Sequence, residues 1–146
     1  MPGALFSLTF IHSKGLTMKR EIERKETPNR VYRSLHLAVR VVKLCAHLDQ
    51  LGGVSRIWMP QVLRAGTSIV SNIEEAQAGQ GRADFMANMG IAPREAQETH
   101  VRLRILSEAA VFPNSRLGSV AGEADEIKRI LGSIVLSSRR RVDMAT

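Results

Sequence analysis

The chain has 146 residues, of which 44% are hydrophobic and 24% charged, a composition typical of a globular domain and not of a disordered or fibrous chain. Only 4% of the residues are aromatic, so a core must be built from aliphatic side chains, which favours helices over a sheet sandwich. The single cysteine, Cys45, excludes an internal disulfide and a structural zinc site, which predicts a reducing compartment. No apolar run approaches the roughly 20 residues of a membrane helix, so we expect no membrane segment.

The formal net charge of +7 indicates an acidic partner, most simply nucleic acid, and most of it lies in the flanks of the chain. Residues 1–30 contain six basic and three acidic residues, residues 31–138 twelve and ten, and residues 139–146 three and one. We therefore expect a charged, flexible N-terminal extension over 1–30, a folded body over 31–138 and a basic C-terminal tail over 139–146.

The first predicted helix covers about 31–49 and carries two apolar stripes about a third of a turn apart. Two apolar faces predict burial on both sides, so we expect one stripe in the core and the other in a subunit interface. The alternative is a single wide surface that faces the core. One apolar stripe comprises Leu35, Ala38, Val42 and Cys45, and a polar stripe comprises His36, Arg40, Lys43 and His47. We assign the oligomer interface to the other apolar stripe, which comprises Leu37, Val41, Leu44 and Leu48.

Three more amphipathic helices follow, with apolar stripes over 55–78, 85–110 and 120–134 and glycine- or proline-rich turns between them. Ser55 is the candidate N-cap of the second helix. Pro93 lies inside the third helix, where we expect a kink and not a break because the apolar stripe keeps its phase. This pattern predicts an all-α fold, an antiparallel up-down-up-down four-helix bundle.

Polar residues on the second and third helices form a candidate structural network between them. Its members are Arg64, Ser68, Asn72 and Glu75 on the second helix and Glu95 and Glu98 on the third. Small residues around Gly66 indicate close helix approach, since a glycine inside a helix costs about 1 kcal/mol. The alternative is a solvated charged surface.

Catalytic motifs are weak in this sequence. None of the four histidines has a glutamate three residues before it, as the metal sites of helical bundles require. The Gly79-Gln-Gly81 segment lacks the lysine and the preceding strand of a phosphate-binding loop. We expect Cys45 to be a small core residue, and we expect no enzyme activity, metal or cofactor.

Residues 63–106 resemble the four-helix bundle family of proteins encoded in intervening sequences of bacterial 23S rRNA genes. One block of that family, Arg-Ser/Ala-x-x-Ser-Ile-x-x-Asn-Ile/Val-x-Glu, is matched by Arg64, Ala65, Ser68, Ile69, Asn72, Ile73 and Glu75. A second block is matched by Asp84, Phe85, Ile91, Ala92, Arg94, Glu95, Ala96, Glu98 and Thr99.

The resemblance implies a cytoplasmic ring homopentamer with no known catalytic activity. Similar bundles serve as accessory proteins of diversity-generating retroelements, where a basic pentamer is thought to bind nucleic acid and a reverse transcriptase. The chain departs from the family pattern at Pro93 and at Arg102, where many members have Trp. The second change places a charge near an expected interface, which predicts a different or looser oligomer.

The sequence thus predicts a non-enzymatic homo-oligomer that binds RNA or DNA electrostatically, with little base recognition because aromatic residues are scarce. The alternative is a protein-interaction scaffold, an accessory subunit of a reverse-transcriptase-type partner. For Arg64 we also weigh a purely structural role. The candidate phosphate contacts are Arg56, Arg64, Arg82, Arg139, Arg140 and Arg141.

Overall fold

A computed structural model describes residues 30–110 and 114–144, which form four α-helices. The helices are α1 (Arg30–Leu51), α2 (Gly53–Ala78), α3 (Arg82–Glu108) and α4 (Asn114–Asp143). No strand occurs within the described residues, so the predicted all-α class is confirmed. The predicted N-terminal extension lies outside the described residues, except for Arg30, which begins α1.

Each helix packs on the next one in the chain, and α1 also contacts α4, so that the packing fits a four-helix bundle. The contact between α1 and α4 is the least extensive of the four. All four helices contribute to one aliphatic core, and each fully buried large side chain stabilises the fold by about 1.5–3 kcal/mol. The largest of these side chains are Leu37, Leu48, Ile69, Ile73, Met89, Leu103, Leu117 and Leu131.

The helices α1 and α2 approach closely at Gly66. A close approach was predicted there for the contact with the third helix, but the neighbour is Val41 of α1. A Cβ atom added there would lie 2.8 Å from Cγ1 and 2.9 Å from Cγ2 of Val41. Nearby, the Sγ of Cys45 lies 3.8 Å from the carbonyl oxygen of Met59. The Cys45 thiol is buried, as predicted, and this burial raises its pKa to about 11.

The interface assignment on α1 is wrong, because the stripe chosen for it lies in the core of the single chain. Leu37, Val41, Leu44 and Leu48 are all buried among the other helices. Ala38 and Cys45 are buried too, so α1 presents a wide arc to the core, as the alternative had it. The apolar residues of α1 that face solvent form a narrower row with three- and four-residue spacing. This exposed stripe comprises Tyr32, Leu35, Val39 and Val42.

The start of α2 also differs from the prediction. The helix begins at Gly53, and Ser55 is a buried residue of its first turn, not the N-cap. Gly52 and Gly53 have φ angles of +66° and +56°, which glycine adopts without the steric cost that a Cβ atom brings. The turn geometry therefore sets this helix boundary. Further along the chain, α3 continues through Pro93 without a break, as predicted, and the kink expected there stays a prediction.

At its two ends, α4 extends further than predicted. Gly118 lies inside the helix instead of in a turn, because its neighbour Leu117 is fully buried, and that burial outweighs the roughly 1 kcal/mol cost of a helical glycine. Arg139, Arg140 and Arg141 lie in the last turns of α4 and not in a separate tail. Cations at a helix C-terminus interact favourably with the helix dipole, which supports this extension.

Candidate nucleic-acid interface

The predicted network between α2 and α3 forms around Arg64. Its Nη1 atom lies 3.5 Å from Oε1 of Glu95, and its Nη2 atom lies 3.1 Å from Oε2 of Glu98. Arg64 is 59% exposed at its side chain, so these ion pairs lie at the surface of the seam between the helices and not inside the core. Arg64 therefore makes a structural contact between α2 and α3.

Arg102 extends this network, and the sequence prediction had left it out. Its guanidinium pairs with Glu98 one turn earlier, donates to Oε1 of Gln61 at 2.5 Å and lies over the ring of Trp58, 5.6 Å from the ring centre. The hydrogen bond from Arg102 is the largest of the influences that lower the pKa of Glu98, and the charge of Arg64 adds to it. The Glu98–Arg102 spacing of four residues was the sequence signal.

Arg102 therefore has its partners within the chain, on α2 and α3. Its side chain is 18% exposed, and the indole nitrogen of Trp58 donates to its carbonyl oxygen at 3.4 Å. The charge that the sequence placed near an expected interface is thus paired with Glu98 within the chain.

The other members predicted for the network do not join it. Asn72 donates to the carbonyl oxygen and the Oγ of Ser68, at 2.8 Å and 3.0 Å, so these two residues bond within α2. Glu75 is exposed, and its side chain makes no hydrogen bond with the described residues. Within the described residues, Arg64 is thus the member of the polar stripe of α2 that hydrogen-bonds to α3.

The predicted phosphate contacts separate into paired and clustered arginines. Arg56 donates to Oδ1 of Asp49 at 3.0 Å, and its charge is compensated there. Arg139 and Arg140 are exposed on the last turns of α4. Arg82 and Arg141, which are far apart in the sequence, line one cleft.

This terminal cleft brings three arginines together where α1 and α3 begin and α4 ends. It encloses about 540 Å³, and Arg82 is held on its wall by a 3.0 Å hydrogen bond to the carbonyl oxygen of Ser138. Among the described residues, its lining includes no carboxylate. The cleft is lined by Arg30, Arg82, Phe85, Ser133, Ile134, Ser137, Ser138 and Arg141.

Sequence reasoning missed Arg30, the first residue of α1. Its place next to a charge-dense segment led us to group it with the N-terminal extension, whereas it opens the helix and lines the cleft with Arg82 and Arg141. Such an arrangement suits an anion, because a guanidinium offers paired N–H donors that match the oxygens of a phosphate.

Metal binding and membrane insertion find no support in the part of the chain that the structure describes. In residues 30–110 and 114–144, no three His, Cys, Asp or Glu side chains are grouped as a metal ion would require. Within the same residues, no helix combines the length and the apolar character needed to cross a bilayer.

These features define the class of the protein as a four-helix, all-α fold with an arginine-lined cleft at one end. A family model described as 23S rRNA-intervening sequence protein matches residues 29–133, and the chain belongs to that family. The resemblance drawn from the two sequence blocks is thereby confirmed.

Among solved structures, the chain is similar to a protein of unknown function from the S23 ribosomal protein family of Bacteroides thetaiotaomicron VPI-5482. The two are 37% identical, with a TM-score of 0.67, and the similarity covers 73% of this chain and 98% of the other. A comparison with curated proteins gave no significant match.

Proposed function

We propose that this protein is a non-enzymatic, cytoplasmic homo-oligomer that binds nucleic acid electrostatically. The observation that carries the proposal is the terminal cleft, in which Arg30, Arg82 and Arg141 converge without a carboxylate in the described lining. Arg139 and Arg140 lie on the adjoining helical turns and add to the local positive potential.

The binding mode follows from which side chains are available. Arginine contacts to phosphates position a strand without reading its sequence, and base stacking needs exposed aromatic side chains. Trp58 is covered by Arg102, and Tyr32 is stacked on His36 away from the lining of the terminal cleft. Phe85, which is partly buried, is the one aromatic residue in the described lining. The proposed ligand is therefore the RNA or DNA backbone, with little sequence preference.

The bundle proposed for this function is antiparallel, and the order of contacts along the helices supports this topology. Arg33 on α1 pairs with Glu123 on α4, while Arg40, two turns later, bonds to Ser119, one turn earlier. The same inverse order holds for the other three pairs of neighbouring helices. Between α1 and α2 the contacts are Val41–Gly66 and Cys45–Met59, and between α2 and α3 they are Trp58–Arg102 and Arg64–Glu98. Between α3 and α4 they are Arg82–Ser138 and His100–Ala121.

The exposed stripe of α1 supports self-association. Tyr32, Leu35, Val39 and Val42 repeat at the three- and four-residue spacing of a helix-packing seam, yet each is at least 43% exposed in the single chain. A second exposed apolar row lies on α3, at Ile91, Val101 and Ile105. A ring needs two different complementary surfaces on each subunit, and the family resemblance implies a ring of five.

Affinity for labelled single- and double-stranded RNA and DNA, measured against salt concentration, tests the proposed binding. We expect affinity to fall linearly with salt on logarithmic axes, because bound phosphates release counterions. Replacing two cleft arginines, as in Arg82→Ala/Arg141→Ala, is expected to lower the slope for single strands by about 1.4. A flat slope in the unmodified protein would contradict the proposal.

The matched control for that variant is Arg56→Ala/Arg129→Ala. It also removes two positive charges, but from exposed arginines that pair with aspartates: Arg56 with Asp49 and Arg129 with Asp125. We expect it to leave the slope close to that of the unmodified protein. Equal losses in the two variants would assign binding to net charge and not to the cleft.

The alternative function, a scaffold for a larger protein partner, is favoured by a separate apolar surface near the turn between α1 and α2. Leu51, Val54 and Ile57 are 51%, 68% and 73% exposed there. Capture of a polymerase-type partner that survives nuclease treatment, and is lost on Ile57→Asp, would support this function.

A further inference from the structure

A second basic cleft lies between α1 and α4, and the sequence prediction assigned none of its basic residues to a site. This seam cleft encloses about 370 Å³, which is within the range of small-ligand sites. It is lined by Arg40, Lys43, Leu44, His47, Ser115, Arg116, Ser119 and Val120. None of these residues lines the terminal cleft, so the two sites are separate.

The charge of the seam cleft is of one sign. Arg40, Lys43 and Arg116 line it, and within the described part of the chain no carboxylate does. The next carboxylates along the same face of α4, Glu123 and Glu126, are held by Arg33 at 2.8 Å and 2.6 Å. The acidic side chains nearest along the seam therefore pair with another arginine and not with the cations of the cleft.

The cleft is also partly preorganised. The Nη2 atom of Arg40 donates to the Oγ of Ser119 at 2.7 Å, which ties the guanidinium to the opposite wall and leaves its other N–H groups for a ligand. Lys43 and Arg116 are exposed on the two rims and form no ion pair with the described residues. Leu44 and Val120, both buried, make an apolar floor.

We propose that the seam cleft binds a phosphate group in the backbone of a single nucleic acid strand. This inference rests on the proposed function and adds to it a second, separate contact point. Two guanidinium groups and an ammonium group supply donors to a phosphate, and the apolar floor suits the sugar that follows it.

Both clefts lie along α1 and α4, so a strand that contacts both would run along these two helices. Arg30 in the terminal cleft and Lys43 in the seam cleft are thirteen residues apart on α1, or about 20 Å at 1.5 Å per residue. The Arg33–Glu123–Glu126 ion pairs lie between them. A short stretch of single strand spans that distance and contacts both clefts with its phosphates.

The sequence contained a signal for this site. The polar stripe of the first helix, which includes Arg40, Lys43 and His47, has a basic side chain at every turn. A basic stripe on one helix does not make a cleft by itself. Arg116 lies seventy-three positions after Lys43 in the sequence, and the packing of α4 on α1 brings the two side chains to the same cleft.

The test uses the full chain and a short labelled single strand, with anisotropy measured over a range of salt concentrations. Lys43→Ala/Arg116→Ala is expected to weaken binding at least about tenfold at low salt and to lower the salt slope by about 1.4. Both side chains are exposed, and an unchanged thermal midpoint will show that the variant folds.

The matched control is Lys128→Ala/Arg129→Ala, which removes one lysine and one arginine from α4. Both pair with Asp125 and line neither cleft, so we expect binding close to that of the unmodified protein. If Lys43→Ala/Arg116→Ala binds like this control while Arg82→Ala/Arg141→Ala is weakened, the seam cleft proposal is overturned and the proposed function stands.

A pyrophosphate titration, followed by NMR of the arginine and lysine side chains, separates a strand from a small phosphorylated ligand. Shifts at Arg40, Lys43 and Arg116, together with strand binding that the seam variant weakens, support the proposal. Pyrophosphate shifts without any strand binding would overturn both the proposed function and the strand as ligand, and would leave a small-phosphate site. No shift and no dependence of strand binding on the seam variant would reject the site altogether.

Discussion

The seam between α2 and α3 and the seam between α1 and α4 both carry several charged side chains, but they use them differently. On the first, Arg64 and Arg102 converge on Glu98, with Glu95 as a further partner, and the charges balance. On the second, carboxylates meet an arginine in the middle, where Arg33 pairs with Glu123 and Glu126. The terminal and seam clefts on either side of it are basic.

This difference shows that the number of arginines on a helix does not identify a binding surface. Arg64 and Arg82 look alike in the sequence, but Arg64 is paired with carboxylates across a seam, whereas Arg82, among the described residues, bonds to a backbone carbonyl in a cleft. An arginine becomes available to a phosphate where the packing of the helices places no carboxylate opposite it.

The largest expected effect is a loss of fold stability that distinguishes the buried from the exposed apolar surface of α1, the helix that forms one wall of the seam cleft. Leu37→Ala removes a fully buried side chain and is expected to destabilise the fold by about 2–5 kcal/mol in denaturant unfolding. Leu35→Ala, on the exposed stripe, is the matched control, with an expected loss within about 0.5 kcal/mol when unfolding is measured at concentrations too low for assembly.

The same pair of variants tests self-association. Sedimentation of Leu35→Ala should show a weaker assembly than that of the unmodified protein, since the stripe is proposed to face another subunit. A monomeric unmodified protein would exclude the proposed interface, and a Leu37→Ala loss no larger than that of Leu35→Ala would contradict the described core.

A smaller effect is expected where Arg33 joins α1 to α4. Arg33→Ala leaves Glu123 and Glu126 without their shared partner and is expected to cost about 1 kcal/mol in thermal or denaturant unfolding. Lys128→Ala, next along α4 and paired only within its own helix, should cost less. Equal costs would show that Arg33 does not join the two helices.

The smallest expected effect is the pH dependence of the α2–α3 seam. Arg102 and Arg64 lower the pKa of Glu98, so its contribution to stability is present above the ordinary glutamate pKa and is lost as the pH falls through the lowered value. Glu98→Gln should therefore be less stable by about 0.5 kcal/mol at neutral pH, and this deficit should shrink in acid.

Gln61→Ala serves as the control for that pH profile, because it removes another partner of Arg102 without removing a titrating group. Its effect should persist in acid. If the Glu98→Gln deficit stays constant from neutral to acidic pH, the ion pair does not contribute through the charge of Glu98.

Much of the fold followed from periodicity. The apolar stripes predicted four helices close to those observed, and the spacing of Arg64 and the helix 3 glutamates predicted their pairing. Helix ends were predicted less well. Glycine is a turn signal, but Gly118 lies inside α4, because the burial of Leu117 outweighs the cost of a glycine in a helix.

The sequence by itself determined the helical class, the family, the core role of Cys45 and the close approach at Gly66, because these depend on local spacing and side-chain size. Tertiary structure alone decided which stripe of α1 is buried and which arginines lie without an opposing carboxylate. Both depend on what a distant helix places opposite a side chain, as Arg116 does for Lys43 and Arg141 for Arg82. The period of one helix defines its faces but not their neighbours.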